Sequence, residues 1–463
     1  MKTTILKHIF SATSETIEDP PASLQLLVRF YRFFSLSFTG VLFTTTTTKS
    51  SSSNSNSSTS KHLPLRLFLI SANLAAFTFY ILPLLSFLLF GDPWAVHASL
   101  KNNSEYTLGK EIFDPTFSTL KPVLKTLITS MAWLMMAEST FTCGHNLLAG
   151  GGLVRQLADL SKGGVRKKKF DTDTRWAVRS LTKVALAIVA FIFLGLSTFA
   201  RAYLVAIFES LKAGKKVQEY HNENPYLLLG GLALKLLKHA YHYFTYSLYP
   251  LLFAYLMTTV KQSIEAIKVE EVFEEDDEDG EEVQSTPAER LQQIKARLQT
   301  LQTHLQEVIN SLALPLTLSM VVTTLLLTGT VCFLIVNSGG DGGNQNAQHF
   351  GLFFFNVAAF HLLRLVVLCS AGSLAEAAHE DLLLALYGRI NSNSKRSGSF
   401  GGGGWDVDAW LAFQELKRLD FRVTLFGGLY RLRQSTILAV LAFVSNHIVV
   451  LLQTENYGRG ATT

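Results

Sequence analysis

Charge is scarce in this sequence. Asp, Glu, Lys and Arg make up 17% of its 463 residues, against about 25% in soluble domains. That shortfall argues against a surface facing water on all sides. Cysteine is scarcer still: Cys143, Cys332 and Cys369 lie in or beside apolar runs, which excludes a disulfide framework and a thiolate metal cluster. No His-Glu-x-x-His, nucleophile elbow or phosphate-binding loop occurs, so the chain is not expected to be an enzyme. Internal repeats are also missing, and the prolines inside apolar runs, Pro83, Pro250 and Pro315, do not fall at matched positions. Both absences weigh against a transporter. Nothing in the residues calls for a cofactor, a metal or a nucleic-acid partner. Met1 to Phe10 carries Lys2 and Lys7 but no apolar block long enough for a signal peptide.

What is abundant is apolar side chain, at 48% of residues with 33 Phe, and it comes in long runs. A bilayer core needs about 20 apolar residues in a helix. Seven stretches qualify: Leu67 to Phe90, Thr126 to Val154, Val184 to Phe208, Ala240 to Val260, Ser311 to Ser338, Phe350 to Leu374 and Gln434 to Gln453. Backbone polar groups in lipid must be satisfied within the segment, so these runs are predicted to be helices. The expected fold is an all-α polytopic membrane protein with seven transmembrane helices. An eighth apolar stretch, Leu24 to Phe43, is interrupted by Arg29 and Arg32 and is expected to lie as a helix in the membrane interface.

Lys and Arg concentrate in the N-terminal segment and after the second, fourth and sixth spans, with a basic cluster at Arg166 to Lys169. The positive-inside rule then predicts a cytosolic N-terminus and an extracellular C-terminus. That orientation opposes the G-protein-coupled alternative, which also has seven spans. Asn102-Asn103-Ser104 falls outside on this topology and Asn56-Ser57-Ser58 inside, so Asn102 is the expected glycosylation site.

The organisation follows. Residues 1–62 form a cytosolic segment with the interfacial helix and a Ser/Thr linker at Thr44 to Ser60. Residues 63–260 hold the first four spans. Residues 261–310 hold an acidic insert at Glu270 to Glu282 and an amphipathic helix. Residues 311–374 hold spans five and six, 375–433 a cytosolic connection with anchor helices and a Ser/Gly linker at Asn393 to Gly404, and 434–463 the last span and a short tail. On the amphipathic helix, Leu291, Ile294, Leu298, Leu301, Leu305, Val308 and Leu312 form one seam. The seam packs either within the subunit or against a second copy, in which case Leu298 and Leu305 are the oligomerisation residues.

Charges inside spans are costly and point to function. Arg364 sits midway through span six and needs a partner, for which Glu138 is the candidate; Arg201 is expected to snorkel outward. In the last span, Asn446 and Gln453 are seven residues apart with Val450 between them, so the three share a helix face. Such a face suits a pore, with a valine ring that dewets and glutamine amides that coordinate a passing ion. Hydrogen bonding between helices of one subunit is the alternative use of the same amides.

The last span also carries a resemblance. Leu425-Phe426-Gly427-Gly428-Leu429-Tyr430 leads to it, and Asn446-His447-Ile448-Val449-Val450-Leu451-Leu452-Gln453-Thr454 closes it. This is similar to the signature of the insect gustatory receptor family: Thr-Tyr, five hydrophobic residues, then Gln-Phe. Asn446 and His447 stand where Thr and Tyr are usual, and Thr454 where Phe is usual. Trp410 and Phe413 resemble the family's aromatic approach to this span. The resemblance implies a chemosensory receptor of the plasma membrane of chemosensory neurons. It further implies a ligand-gated non-selective cation channel, a homotetramer or heterotetramer whose last helix lines the pore. Its partners would be a small-molecule tastant, permeating cations and membrane lipids. A pocket among the earlier helices, in their outer half, would draw on Trp133, Tyr203, Tyr243, Tyr246, Asn356, Phe360 and His361, aromatics with a few polar groups that suit a small organic ligand.

Overall fold

The computed structural model describes residues 16–18, 24–28, 42–44, 71, 78, 122–163, 170–212, 225–273, 287–338, 345–396, 407–428 and 430–460. Leu67 to Phe90, the Ser/Thr linker and the Asn102 acceptor lie outside these residues, apart from Thr44, Ser71 and Thr78. The described chain is built from eight helices: α1 (Pro122–Gly163), α2 (Phe170–Lys212), α3 (Pro225–Phe273), α4 (Pro287–Ser338), α5 (Gln345–Gly372), α6 (Leu374–Arg396), α7 (Val407–Lys417) and α8 (Gln434–Gly460). The second to fifth and the seventh predicted spans each fall inside one of α1 to α4 and α8, while the sixth, Phe350 to Leu374, fills α5 and runs two residues past its end at Gly372 into the start of α6. The helices overrun the apolar runs because backbone hydrogen bonding continues into water wherever no breaker intervenes. Thus α4 carries the amphipathic seam and the fifth span in one piece, and α6 extends to Arg396 through Asn393 and Ser394, where a linker was expected. Residues 182–202, 288–335 and 351–391 are long and apolar enough to cross a membrane, and 434–450 is a shorter apolar helix.

At the N-terminal side, residues 24–28 are helical, with Leu24, Leu27 and Val28 buried in the same core as the large helices. Leu42 and Phe43 are not helical: β2 (Leu42–Thr44) pairs in parallel with β1 (Thr16–Glu18). The expected interfacial helix therefore ends before them. Aromatic and β-branched residues running into a string of threonines favour an extended backbone.

The core is organised around α3. Residues 242–260 are buried without exception, because α1, α2, α4, α5 and α6 all pack against this helix. A helix buried on every side needs no polar face. It still holds Thr258, Thr259 and Ser263, whose hydroxyls donate to the carbonyls of Ala254, Tyr255 and Thr259 four residues back. Thr324, Thr328 and Thr330 do the same in α4. Each hydroxyl is thereby satisfied inside its own helix.

The seam on α4 is filled from within the chain. Leu291, Ile294, Leu298, Leu301, Leu305, Val308 and Leu312 are all buried in the single chain, Leu298 and Leu305 among them. Of the two partners open to the seam, the structure supplies the intrasubunit one, so Leu298 and Leu305 are covered before any second copy arrives. The cover includes α7, held across α4 by Lys295, which donates to Glu415 at 2.5 Å, and by Gln302, which donates to the Asp420 carbonyl at 2.9 Å. The Lys295 ammonium holds the exposed Glu415 carboxyl below its ordinary range.

Candidate functional site

Four helices, α1, α3, α4 and α5, send polar side chains into the middle of the bundle. Arg364 of α5 donates to both carboxylate oxygens of Glu138 on α1, one contact measuring 3.1 Å, and also to the Ser319 hydroxyl of α4. The Arg364 and Glu138 side chains are 2% and 3% exposed. The pairing anticipated from the two isolated charges is therefore present, and it is bidentate, the geometry in which guanidinium and carboxylate match best. Tyr246 of α3 places its ring 5.2 Å from the Arg364 guanidinium, a cation–π distance. By contrast, Arg201 is exposed.

A second set of hydrogen bonds adjoins this pair. His242 Nδ1 lies 2.7 Å from the Ser139 hydroxyl and 3.3 Å from the Tyr246 hydroxyl, and Ser139 lies 3.2 Å from Thr245. Glu138 and Ser139 are adjacent on α1, while His242 and Tyr246 are one turn apart on α3, so two short segments join both sets. Isolated polar groups here would be expensive to bury, and a connected network removes that cost.

One turn along, the site becomes aromatic. Tyr243 and Phe360 meet edge to face at 4.7 Å, and Tyr246 and His361 lie 6.0 Å apart. Asn356 Nδ2 donates to the Phe191 carbonyl of α2 at 3.2 Å. Asn356 and Tyr243 converge over Gly195, where a methyl group would sit 2.6 Å from Asn356 Nδ2 and 2.8 Å from the Tyr243 hydroxyl. Glycine at 195 is what lets these two side chains close over α2. Among the buried atoms that keep an unused hydrogen-bonding position are Asn356 Oδ1, His361 Nδ1 and Arg364 Nε. No metal-binding group of three or more His, Cys, Asp or Glu occurs among the described residues.

Of the seven pocket residues named from the sequence, Tyr243, Tyr246, Asn356, Phe360 and His361 come together here. Trp133 is half-buried on α1, five residues before Glu138, and the Tyr203 side chain lies outside the description. Sequence reasoning passed over Ser139, His242 and Ser319, since a lone Ser or His in an apolar run carries no signal until its partner on another helix is known. His239 stands just before the fourth predicted span, Ala240 to Val260. In the fold its ring lies tilted against that of Phe199, with centroids 4.4 Å apart, and 5.7 Å from Phe353.

The last helix is different. Among the described side chains of α8, one stripe, Thr436, Val440 and Val444, is buried, and the helix packs against α4 and α5. Asn446, Val450 and Gln453 are all exposed, and Leu438 and Val450 are 70% and 56% exposed. The three residues named for a pore share a face turned away from the bundle.

Comparison with known proteins agrees with this architecture. A family model described as 7tm chemosensory receptor matches residues 183–456. The insect olfactory receptor OR5 from Machilis hrabei is similar in fold, with a TM-score of 0.58 at 10% identity over 93% of this chain and 97% of that one. The structure of the same receptor in complex with eugenol gives a TM-score of 0.54 at 9% identity over 98% and 99%. No curated protein matches the chain. With more than half of its length matched by that model and an all-helical membrane fold shared with solved insect receptors, this chain belongs to the 7tm chemosensory receptor family.

Proposed function

We propose that this protein is a gustatory-type chemosensory receptor acting as a ligand-gated, non-selective cation channel. The observation that carries the proposal is the contrast between a bundle with a polar and aromatic centre and a last helix with an uncovered polar and aliphatic face. A second copy, or three more, would cover the apolar part of α8 and bring Asn446, Val450 and Gln453 around a common axis. Val450 then forms the dewetting ring and Gln453 the coordinating one. The ligand is a small organic molecule held near Tyr243, Tyr246, Asn356, Phe360 and His361, with Trp133 and Tyr203 at the margin. A solved relative in fold binds eugenol, which supports small-molecule binding by this architecture. The N-terminus is cytosolic, the protein resides in the plasma membrane of chemosensory neurons, and Asn102 carries the glycan. Subunit contact falls to α8 and its neighbours rather than to Leu298 and Leu305, because those leucines are already enclosed.

Whole-cell recording from cells expressing the full chain tests this directly. A cation current that rises on adding one member of a panel of sugars, amines, bitter compounds and eugenol is the expected result. Glycan on Asn56 in place of Asn102 reverses the orientation and revives the G-protein-coupled alternative.

A further inference from the structure

The helix that carries Asn356, Phe360, His361 and Arg364 ends at Gly372. This is eight residues beyond Arg364, or about 12 Å along the axis at ~1.5 Å per residue. Ser373 separates α5 from α6, its hydroxyl donating to the Ser370 carbonyl at 2.9 Å. At this joint the chain meets the segment that feeds the last helix. A methyl group at Gly372 would lie 2.5 Å from Leu432 Cβ and 2.6 Å from the Leu432 carbonyl oxygen. The second of these is backbone and cannot rotate out of the way. Gly388, on α6, would meet nothing within 4 Å, so glycine is demanded by contact at 372 and not at 388.

One turn further, Glu376 forms an ion pair with Arg431, and Arg422 Nε approaches the same carboxylate at 3.6 Å. Arg431 pairs with Thr424 in the two-stranded ribbon of β3 (Thr424–Leu425) and β4 (Tyr430–Arg431). The ribbon is closed beside it by the Leu432 amide, which donates to the Val423 carbonyl at 2.9 Å. Past the ribbon, the Thr436 hydroxyl donates back to the Arg431 carbonyl at 2.7 Å, and Thr436 lies in the first turn of α8. An unbroken set of contacts therefore runs from the α5–α6 joint, through Glu376 and Arg431, into the start of the last helix.

We propose that Gly372, Glu376 and Arg431 are positioning residues for gating: they clamp the base of α8 to the end of α5, so that a shift of the site-bearing helix moves the last helix. This rests on the channel function proposed above. A rigid helix and a backbone contact without a soft side chain between them transmit displacement well, since packed contacts switch between discrete arrangements rather than deforming. The ion pair adds direction, because it fixes which rotation of α6 the ribbon must follow.

Two measurements on the full chain test the clamp. In purified protein, hydrogen exchange at the Leu432 amide should speed up at least tenfold in Gly372→Ala and in Glu376→Gln, and should not change in Gly388→Ala. Unchanged exchange in all three overturns the clamp. In cells, current per surface receptor is compared for Glu376→Gln, Arg431→Gln, the double variant and the exchange E376R/R431E, with Val450→Ser as reference. The single changes should shift the current by the same factor, roughly threefold to tenfold, with no further shift in the double and partial return in the exchange. Singles that simply add, beside a conducting Val450→Ser, overturn the coupling alone. Silence in every variant, Val450→Ser included, overturns the channel function and the coupling with it.

Discussion

Around α3, ionisable and hydroxylated side chains point inward and find partners on neighbouring helices; along α8, Asn446, His447 and Gln453 point outward together with Leu438, Val449 and Val450. The two regions are drawn from one chain with similar residue types, yet the first finds partners on neighbouring helices and the second faces away from the rest of the chain. A membrane helix that exposes amides on one face is asking for water or for another protein. That difference is the ground on which the proposed function gives the first region to recognition within a subunit and the second to what subunits build together.

The sharpest way to break the comparison is to make the inner region fail like an unpartnered one. Replacing Arg364 by Ala leaves Glu138 buried without its partner, which should cost about 3–5 kcal/mol and sharply reduce the folded protein at the cell surface. The double change Glu138→Leu with Arg364→Met should recover much of that loss, as measured by surface labelling. Equal loss in single and double variants would show that the pair is needed for more than its own charge balance.

Next in size is the seam on α4. Leu298 is wholly buried in the single chain, so Leu298→Ala should lower stability by about 2–5 kcal/mol. The whole transition should shift with no separate dissociation step at lower denaturant or detergent stress. Dissociation to a folded monomer, seen on a sizing column, would return Leu298 to the subunit interface.

Changes on α8 should leave stability nearly untouched and move function instead. Val450→Ala or Val450→Ser should raise current without ligand, and Gln453→Glu should tighten block by divalent cations, because charges gathered on one axis in a low-dielectric pore interact far more strongly than in water. Currents with matched surface expression decide it. If neither leak nor selectivity moves, the outer face of α8 contacts lipid rather than a pore.

The smallest effect belongs to Glu415. Its carboxyl is held below the ordinary range by Lys295, so its contribution is present above the ordinary glutamate pKa and is lost as pH falls through the depressed value. Exposed pairs of this kind contribute little. Glu415→Gln should therefore leave the thermal midpoint at neutral pH almost unchanged and slightly flatten the fall in stability on acidification.

Much of this was legible in the residues. Run length and charge scarcity determined an all-helical membrane fold, since the bilayer imposes its thickness on any sequence that crosses it. The charge of Arg364 in an apolar run announced a partner, and Glu138 was the acidic residue available in another span. The 3-4 spacing of Leu291 to Leu312 determined a buried stripe. What covers that stripe was decided only by the tertiary structure, because α1, α3 and α7 bring their own apolar faces to it and periodicity specifies a face, not its partner. The same holds for Ser139 and His242, silent until helices more than a hundred residues apart place them 2.7 Å from each other. It holds equally for Gly372, an unremarked glycine in the sequence that the fold sets against the Leu432 backbone. Hydrophobic patterning acts along the chain and survives in the sequence; close contact between backbones depends on how helices cross, and that exists only once they are packed.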